Sequence, residues 1–229
     1  MKKIIFILIL FFSCYIIYYL TTDSKVNYLT LGDSLSSGIN IYGIKEYGYS
    51  DYIKDYLYDK DRLKNFNDDF ANSNYRITDL TKMIKYNETK KVNGKNISIN
   101  KVIKSSDIIT LSIGMTELYS KLKINNINIY NYMNELILDM DKLLAIIDRF
   151  EHEKVFVLGY YNVGISQEYI NYINVKLRNV VEKYGFDYVD LSNVFDNNPI
   201  YFDKNDSFIP NNEGYLKISK IIIEKIENN

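Results

Sequence analysis

The chain has 229 residues, 47% of them hydrophobic and 25% charged, enough to bury one substantial core. Its formal net charge of −1 excludes the basic field that nucleic acid or an anionic membrane surface would require. One cysteine, Cys14, excludes an internal disulfide framework. The 23 tyrosines stand beside no tryptophan, 2 prolines and 10 glycines, a coding bias rather than a binding stripe.

Lys2 and Lys3 precede an apolar run over 4–20, after which 21–25 turns polar. At about 1.5 Å per residue a helix over that run reaches roughly 25 Å, the short end of a bilayer span. Positive charge on its N-terminal side places that end in the cytoplasm and the remainder outside. No small-x-small cleavage site follows, which favours an uncleaved single-pass anchor over a removed signal and gives the domain an extracytoplasmic location. Phe11-Phe12-Ser13-Cys14 loosely resembles an acylation site, but the apolar run continues to Leu20 and no small-residue box precedes the cysteine.

After residue 25, strands and helices alternate to the end. Strands are expected over 27–31, 65–71, 108–113, 155–159 and 186–190, the middle and later ones as the continuous apolar runs of parallel strands covered on both faces. Helices are expected over 49–58, 77–84, 129–150, 167–184 and 212–226. The third of these carries Ile129, Met133, Leu136, Ile137, Met140, Leu143, Leu144, Ile147 and Phe150 at helical spacing. Gly185 suits the end of the fourth. The polar stretch 85–104 reads as a surface loop. This rhythm predicts one doubly wound, flavodoxin-like α/β domain over 26–229 with a mainly parallel five-stranded sheet.

Such sheets place their sites at the C-terminal strand ends. Those ends carry Gly32-Asp33-Ser34, Asn72-Ser73-Asn74, Gly114-Met115-Thr116-Glu117 and 160–162, together with the loop before the last helix. In order and spacing these blocks resemble the SGNH/GDSL hydrolase family. The first is 32–38, Gly-Asp-Ser-Leu-Ser-Ser-Gly; the second is 72–80; the third is 108–117; the last is 206–215, from Asp206-Ser207-Phe208-Ile209 onward. The resemblance covers nearly everything after the anchor and implies a three-layer fold and acyl-ester hydrolysis.

In that family the serine attacks and a histidine three residues after an aspartate takes its proton. The serine N–H, a glycine N–H and an asparagine amide hold the oxyanion. Carried over, the resemblance gives Ser34 as nucleophile and Asp206 as the triad aspartate. Ser34, Asn74 and Thr116 take the oxyanion positions, and Ile209 stands where the histidine belongs. Asn74 is a mild departure, because asparagine tolerates a left-handed backbone. Thr116 reaches less far than an amide, and losing one oxyanion donor costs roughly 3–4 kcal/mol. Ile209 accepts no proton, and losing the base costs on the order of 10⁶ in turnover.

Two groups are weighed as replacement bases. His152, the one histidine, falls at the opposite edge of the sheet, a strand length of roughly 17 Å away. Glu117 lies on the correct edge, but burial would have to raise its pKa. Without an imidazole to orient, Asp206 reads more simply as a turn or capping residue. Asp33 and Ser34 equally suit a structural turn that satisfies loop backbone. Tyr42, Tyr47, Tyr49, Tyr160, Tyr161 and Tyr201 fall in loops near this edge. No metal-ligand spacing and no phosphate-binding glycine loop are present, so no cofactor is expected.

The expectation is therefore a membrane-anchored, extracytoplasmic hydrolase-fold domain whose catalysis is impaired. It would act by binding a cell-envelope glycan, a lipid, an acyl ester or a partner protein. The alternatives are an active serine esterase using Ser34 with an unconventional base, and a plain envelope scaffold.

Overall fold

A computed structural model of the chain describes residues 12, 25–124, 128–196, 198–203 and 207–228. The anchor run, Cys14 and Asp206 lie outside the described residues, apart from Phe12. Among the described residues no helix is long and apolar enough to cross a membrane.

The central sheet holds five parallel strands: β1 (Val26–Gly32), β2 (Leu63–Asn67), β5 (Ile108–Ser112), β6 (Lys154–Leu158) and β7 (Asp187–Val189), in the order β2-β1-β5-β6-β7. β1 and β5 are buried almost throughout, as strands covered on both faces must be. Helices α2 (Tyr49–Asp59) and α9 (Asn212–Asn228) pack together on one face. On the other, α6 (Ile129–Ile147) packs between α3 (Ile77–Lys85) and α7 (Gln167–Lys183). This is the expected three-layer, doubly wound arrangement. The core runs along both sheet faces, with Leu29, Leu31, Ile109, Leu111 and Phe156 fully buried.

The sheet order reverses between β1 and β5. A chain that leaves β1 toward β2 and later returns on β1's other side opens a crevice at those two C-terminal ends. Gly32 closes the approach. It has φ 130°, and a Cβ there would collide with the Ser112 carbonyl. The same closeness allows Asp33 N–H to donate to Ser112 O at 2.9 Å.

Three sequence expectations need correction. The strand expected over 65–71 is β2, two residues earlier, and Ala71 meets Gly32 only in an isolated bridge. The long helix ends at Ile147 rather than 150. Phe150 N–H bonds to Ile147 O in a tightened turn, and the ring still packs on the core. The stretch 85–104 is not a loop but the antiparallel hairpin β3 (Thr89–Val92) and β4 (Lys95–Ser98), followed by α4 (Ile99–Lys104). Asn93 and Gly94, at φ 48° and 80°, form the two-residue turn. Ile99 and Ile103 bury the helix.

Candidate active site

Ser34 begins a single-turn helix, α1 (Ser34–Ser37), directly after β1. Its main-chain N–H is thus one of the first-turn donors that no intrahelical carbonyl can satisfy. The residue is 3% exposed. Its Oγ lies 3.1 Å from Thr116 Oγ1. Thr116 sits in the first turn of α5 (Met115–Leu122), at the end of β5. The switch point thus brings together two hydroxyls that are far apart in the sequence.

What aims Thr116 is the turn between β5 and α5. Gly114 has φ 95°, and a Cβ there would strike the Tyr160 hydroxyl, which donates to Ile113 O at 3.1 Å. Only glycine satisfies both conditions. The N–H groups of Gly114 and Thr116 then converge on Asp33 Oδ2, at 3.1 and 3.4 Å. Asp33 is fully buried, and its Oδ1 has no partner of hydrogen-bonding geometry among the described residues. Burial pushes its pKa up to about 7 against the pull of those donors and a weaker one from the Leu35 N–H.

The remaining predicted residues disperse. Glu117 Oε2 accepts from Ile77 N–H at 3.0 Å and thus caps α3. Burial raises its pKa, while the Ile77 bond opposes the rise. Asn74 is exposed, and its N–H donates to Asn72 Oδ1 at 3.0 Å. Ile209 is buried, with its N–H on Ser207 Oγ at 3.1 Å. His152 bonds through Nδ1 to Ser106 O at 3.0 Å, before β5 and so at the opposite edge. Among the described residues no group of histidine, cysteine and carboxylate side chains is placed to hold a metal ion.

The loop tyrosines split into two sets. Tyr49, Tyr160 and Tyr161 are core residues: Tyr49 OH meets Ser36 Oγ at 3.0 Å, and Tyr161 stacks against Phe195. Tyr42 is exposed, and Tyr47 is partly exposed and bonds to Asp55. Between the 39–48 loop and the start of α9 a cleft of about 260 Å³ opens, lined by Asn40, Glu46, Asp203, Asn211, Glu213 and Tyr215.

Sequence reasoning found Ser34 and Thr116 but took Asp33 for a turn residue. The available signal was its place between a strand-ending glycine and a serine, where a short side chain turns inward.

No protein-family model matches the chain. No curated protein matches it either. Solved structures do match in fold. A lipase from a goat rumen metagenome is 18% identical, covering 87% of this chain and 97% of that one, with a TM-score of 0.67. An acetylxylan esterase from Geobacillus stearothermophilus is 13% identical over 89% and 95% of the two chains, TM-score 0.68. An α/β hydrolase enzyme from the metagenome of Lake Arreo, Spain, is 18% identical over 88% and 95%, TM-score 0.65. The esterase is also known with catalytic substitutions at an aspartate and at a histidine three residues later. At these identities the likeness is one of fold, a mainly parallel five-stranded sheet flanked by helices.

Proposed function

We propose that this chain is a hydrolase-fold domain, held outside the cytoplasm by the run 4–20, in which rapid ester hydrolysis is lost. In this reading its Ser34 edge binds an ester-bearing ligand of the cell envelope. The observation that carries it is the company Ser34 keeps: its partner is the Thr116 hydroxyl, while the chain's one imidazole is bonded at the far edge. The acetylxylan esterase has a catalytic histidine three residues after an aspartate, and the sequence resemblance gives Ile209, three residues after Asp206, that position here. Glu46, Asp203 and Glu213 around the neighbouring cleft disfavour an anionic headgroup, so a neutral acylated glycan fits better than an anionic lipid.

The test is turnover of p-nitrophenyl acetate. The wild type is expected to be slower than a triad esterase by about 10⁴-fold or more. Ile209→His, alone or with Thr116→Asn, is expected to raise turnover, since the serine and the fold are retained. Rapid wild-type turnover abolished by Ser34→Ala would establish the alternative, an active serine esterase.

A further inference from the structure

The whole-chain charge of −1 conceals a separation. Residues 82–104 hold seven lysines and one glutamate, a net +6, which leaves −7 for the rest of the chain. Lys82 and Lys85 occupy the last turn of α3, and Lys101 and Lys104 the last turn of α4. Each pair is three residues apart, on one side of its helix. All four are exposed, and none forms an ion pair among the described residues. Lysines in a last turn complement the helix dipole, which accounts for cations there but not for a stretch with a single acidic residue.

Both helix ends lie at the edge of the sheet opposite Ser34. α3 starts at the Ser34 edge, where Ile77 N–H meets Glu117, and runs back against the strands. α4 leads into β5: Asp107, three residues after Lys104, donates its N–H to Asn27 O at 2.9 Å and accepts from Asn27 N–H at 2.7 Å. Asn27 is the second residue of β1, so these lysines stand beside the point where the chain enters the sheet. Two strongly exposed tyrosines share this edge. Tyr86, 69% exposed, follows α3, and the Lys85 ammonium lies over its ring at 5.7 Å. Tyr58, 71% exposed, sits in the last turn of α2, ahead of the Arg62 carbonyl that receives Val26 N–H. Exposed tyrosine beside lysine suits a membrane–water boundary, where the ring lies at the level of the headgroups.

We propose that this corner is a docking surface for the anionic phospholipid headgroups of the membrane that holds the chain, and that it fixes the domain with Ser34 facing away. The inference rests on the proposed anchor over 4–20. Only residues 21–25 separate that run from Val26, a reach of at most about 17 Å, so the edge carrying Val26 is the one kept near the lipid. An anionic lipid surface favours each lysine close to it by about five-fold, and the attraction fades over about 10 Å. Four lysines orient a tethered domain; without the tether they give only weak, salt-sensitive attachment. The opposite end agrees. Ser34 lies a strand length of roughly 17 Å away, at the end of the sheet that also carries the cleft with Glu46, Asp203 and Glu213, which an anionic surface repels. Exposed Asp148, Glu151 and Glu153 do lie at the near edge, immediately before β6, so the contact is the corner beneath α3 and α4 rather than the whole edge. The ligand edge is thereby presented to the envelope, which accords with a glycan ester rather than a membrane lipid.

The experiment reconstitutes the full chain in vesicles of phosphatidylcholine alone and of phosphatidylcholine with phosphatidylglycerol. A membrane-impermeant acylating reagent then marks exposed lysines, which are read by peptide mass spectrometry. In the mixed vesicles Lys82, Lys85, Lys101 and Lys104 should react about five-fold more slowly than in phosphatidylcholine alone, and high salt should remove the difference. Lys45, in the loop beside Ser34, should react equally in both. Replacing one pair reads the other: with Lys101→Gln and Lys104→Gln combined, the protection of Lys82 and Lys85 should fall in a chain that keeps its circular dichroism melt. Equal reactivity of the four lysines in both vesicles overturns the surface, and so does equal protection of Lys45. Protection of Lys82 and Lys85 that survives the double substitution shows that the two helix ends do not act together, and overturns it too. Protection by soluble polyphosphate, with none from phosphatidylglycerol, assigns the lysines to a free polyanion instead. Loss of the chain from both kinds of vesicle in an alkaline carbonate wash refutes the anchor itself, an outcome distinct from retention without protection.

Discussion

Asp33 binds its proton more tightly in the folded chain than in the unfolded one, and this gives a stability signature independent of catalysis. Its folded pKa is pushed up to about 7 by burial, against an ordinary value near 4. Below about pH 4 the carboxyl is neutral in both states and contributes no penalty. As pH rises from about 4 to 7 the unfolded chain ionises first, so folding loses stability, and above about 7 the loss is constant. The full effect is on the order of a few kcal/mol. Asp33→Asn carries no such penalty, so its melting temperature should gain on the wild type between pH 5 and pH 8. A difference that stays flat across that range would mean that Asp33 ionises as it would in water. The partly buried Glu117 makes the contrasting case. Its carboxylate accepts a single main-chain N–H, so Glu117→Ala should cost about 1–2 kcal/mol by leaving Ile77 N–H unmet. Glu117→Gln keeps an acceptor and should melt like the wild type. A melt of Glu117→Gln as low as that of Glu117→Ala would show that the carboxylate charge, not the acceptor, matters there.

At the scale of elements, the strands and long helices were legible because each carries its own periodicity. β5 and β6 are largely apolar runs, and α6 presents one buried stripe from Ile129 to Ile147. The hairpin at 89–98 was missed because its strands are polar and lie on the surface, where alternation is weak. Asn93-Gly94 was the signal that remained. Ser34 and Thr116 were legible because each follows a strand end. Asp33 was not, since whether a carboxylate in a turn faces water or the core depends on the partner strand. Here that partner is β5, whose Ser112 carbonyl approaches Gly32. Gly32→Ala should accordingly damage the site before the fold as a whole. The Ser112 carbonyl must move, and the Asp33-to-Ser112 bond with it. Reduced ester turnover on adding Gly32→Ala to Ile209→His, in a chain that retains its helical circular dichroism, is the expected outcome, and undiminished turnover would show that the close approach is dispensable.

At the scale of the whole molecule, the sheet order explains why one strand end matters more than the others. With the strand order reversing between β1 and the central β5, the ends of β1 and β5 are adjacent, and the crevice there is a property of topology rather than of any residue. That is why a lipase, an esterase and this chain share a fold at identities of 13–18% while their proton acceptors need not agree. The proposed anchor over 4–20 precedes this sheet in the sequence. Among the described residues the sheet begins at Val26, and the buried core is assembled from residues 26–226. A chain starting at Lys25 should therefore melt at the same temperature as the full chain and show the same Ser34 chemistry, while leaving the membrane fraction for the soluble one. If the shortened chain still sediments with membranes, the anchor lies in the domain surface instead. If it loses stability, the segment before Val26 packs on the domain, and its apolar character belongs to folding rather than to a bilayer.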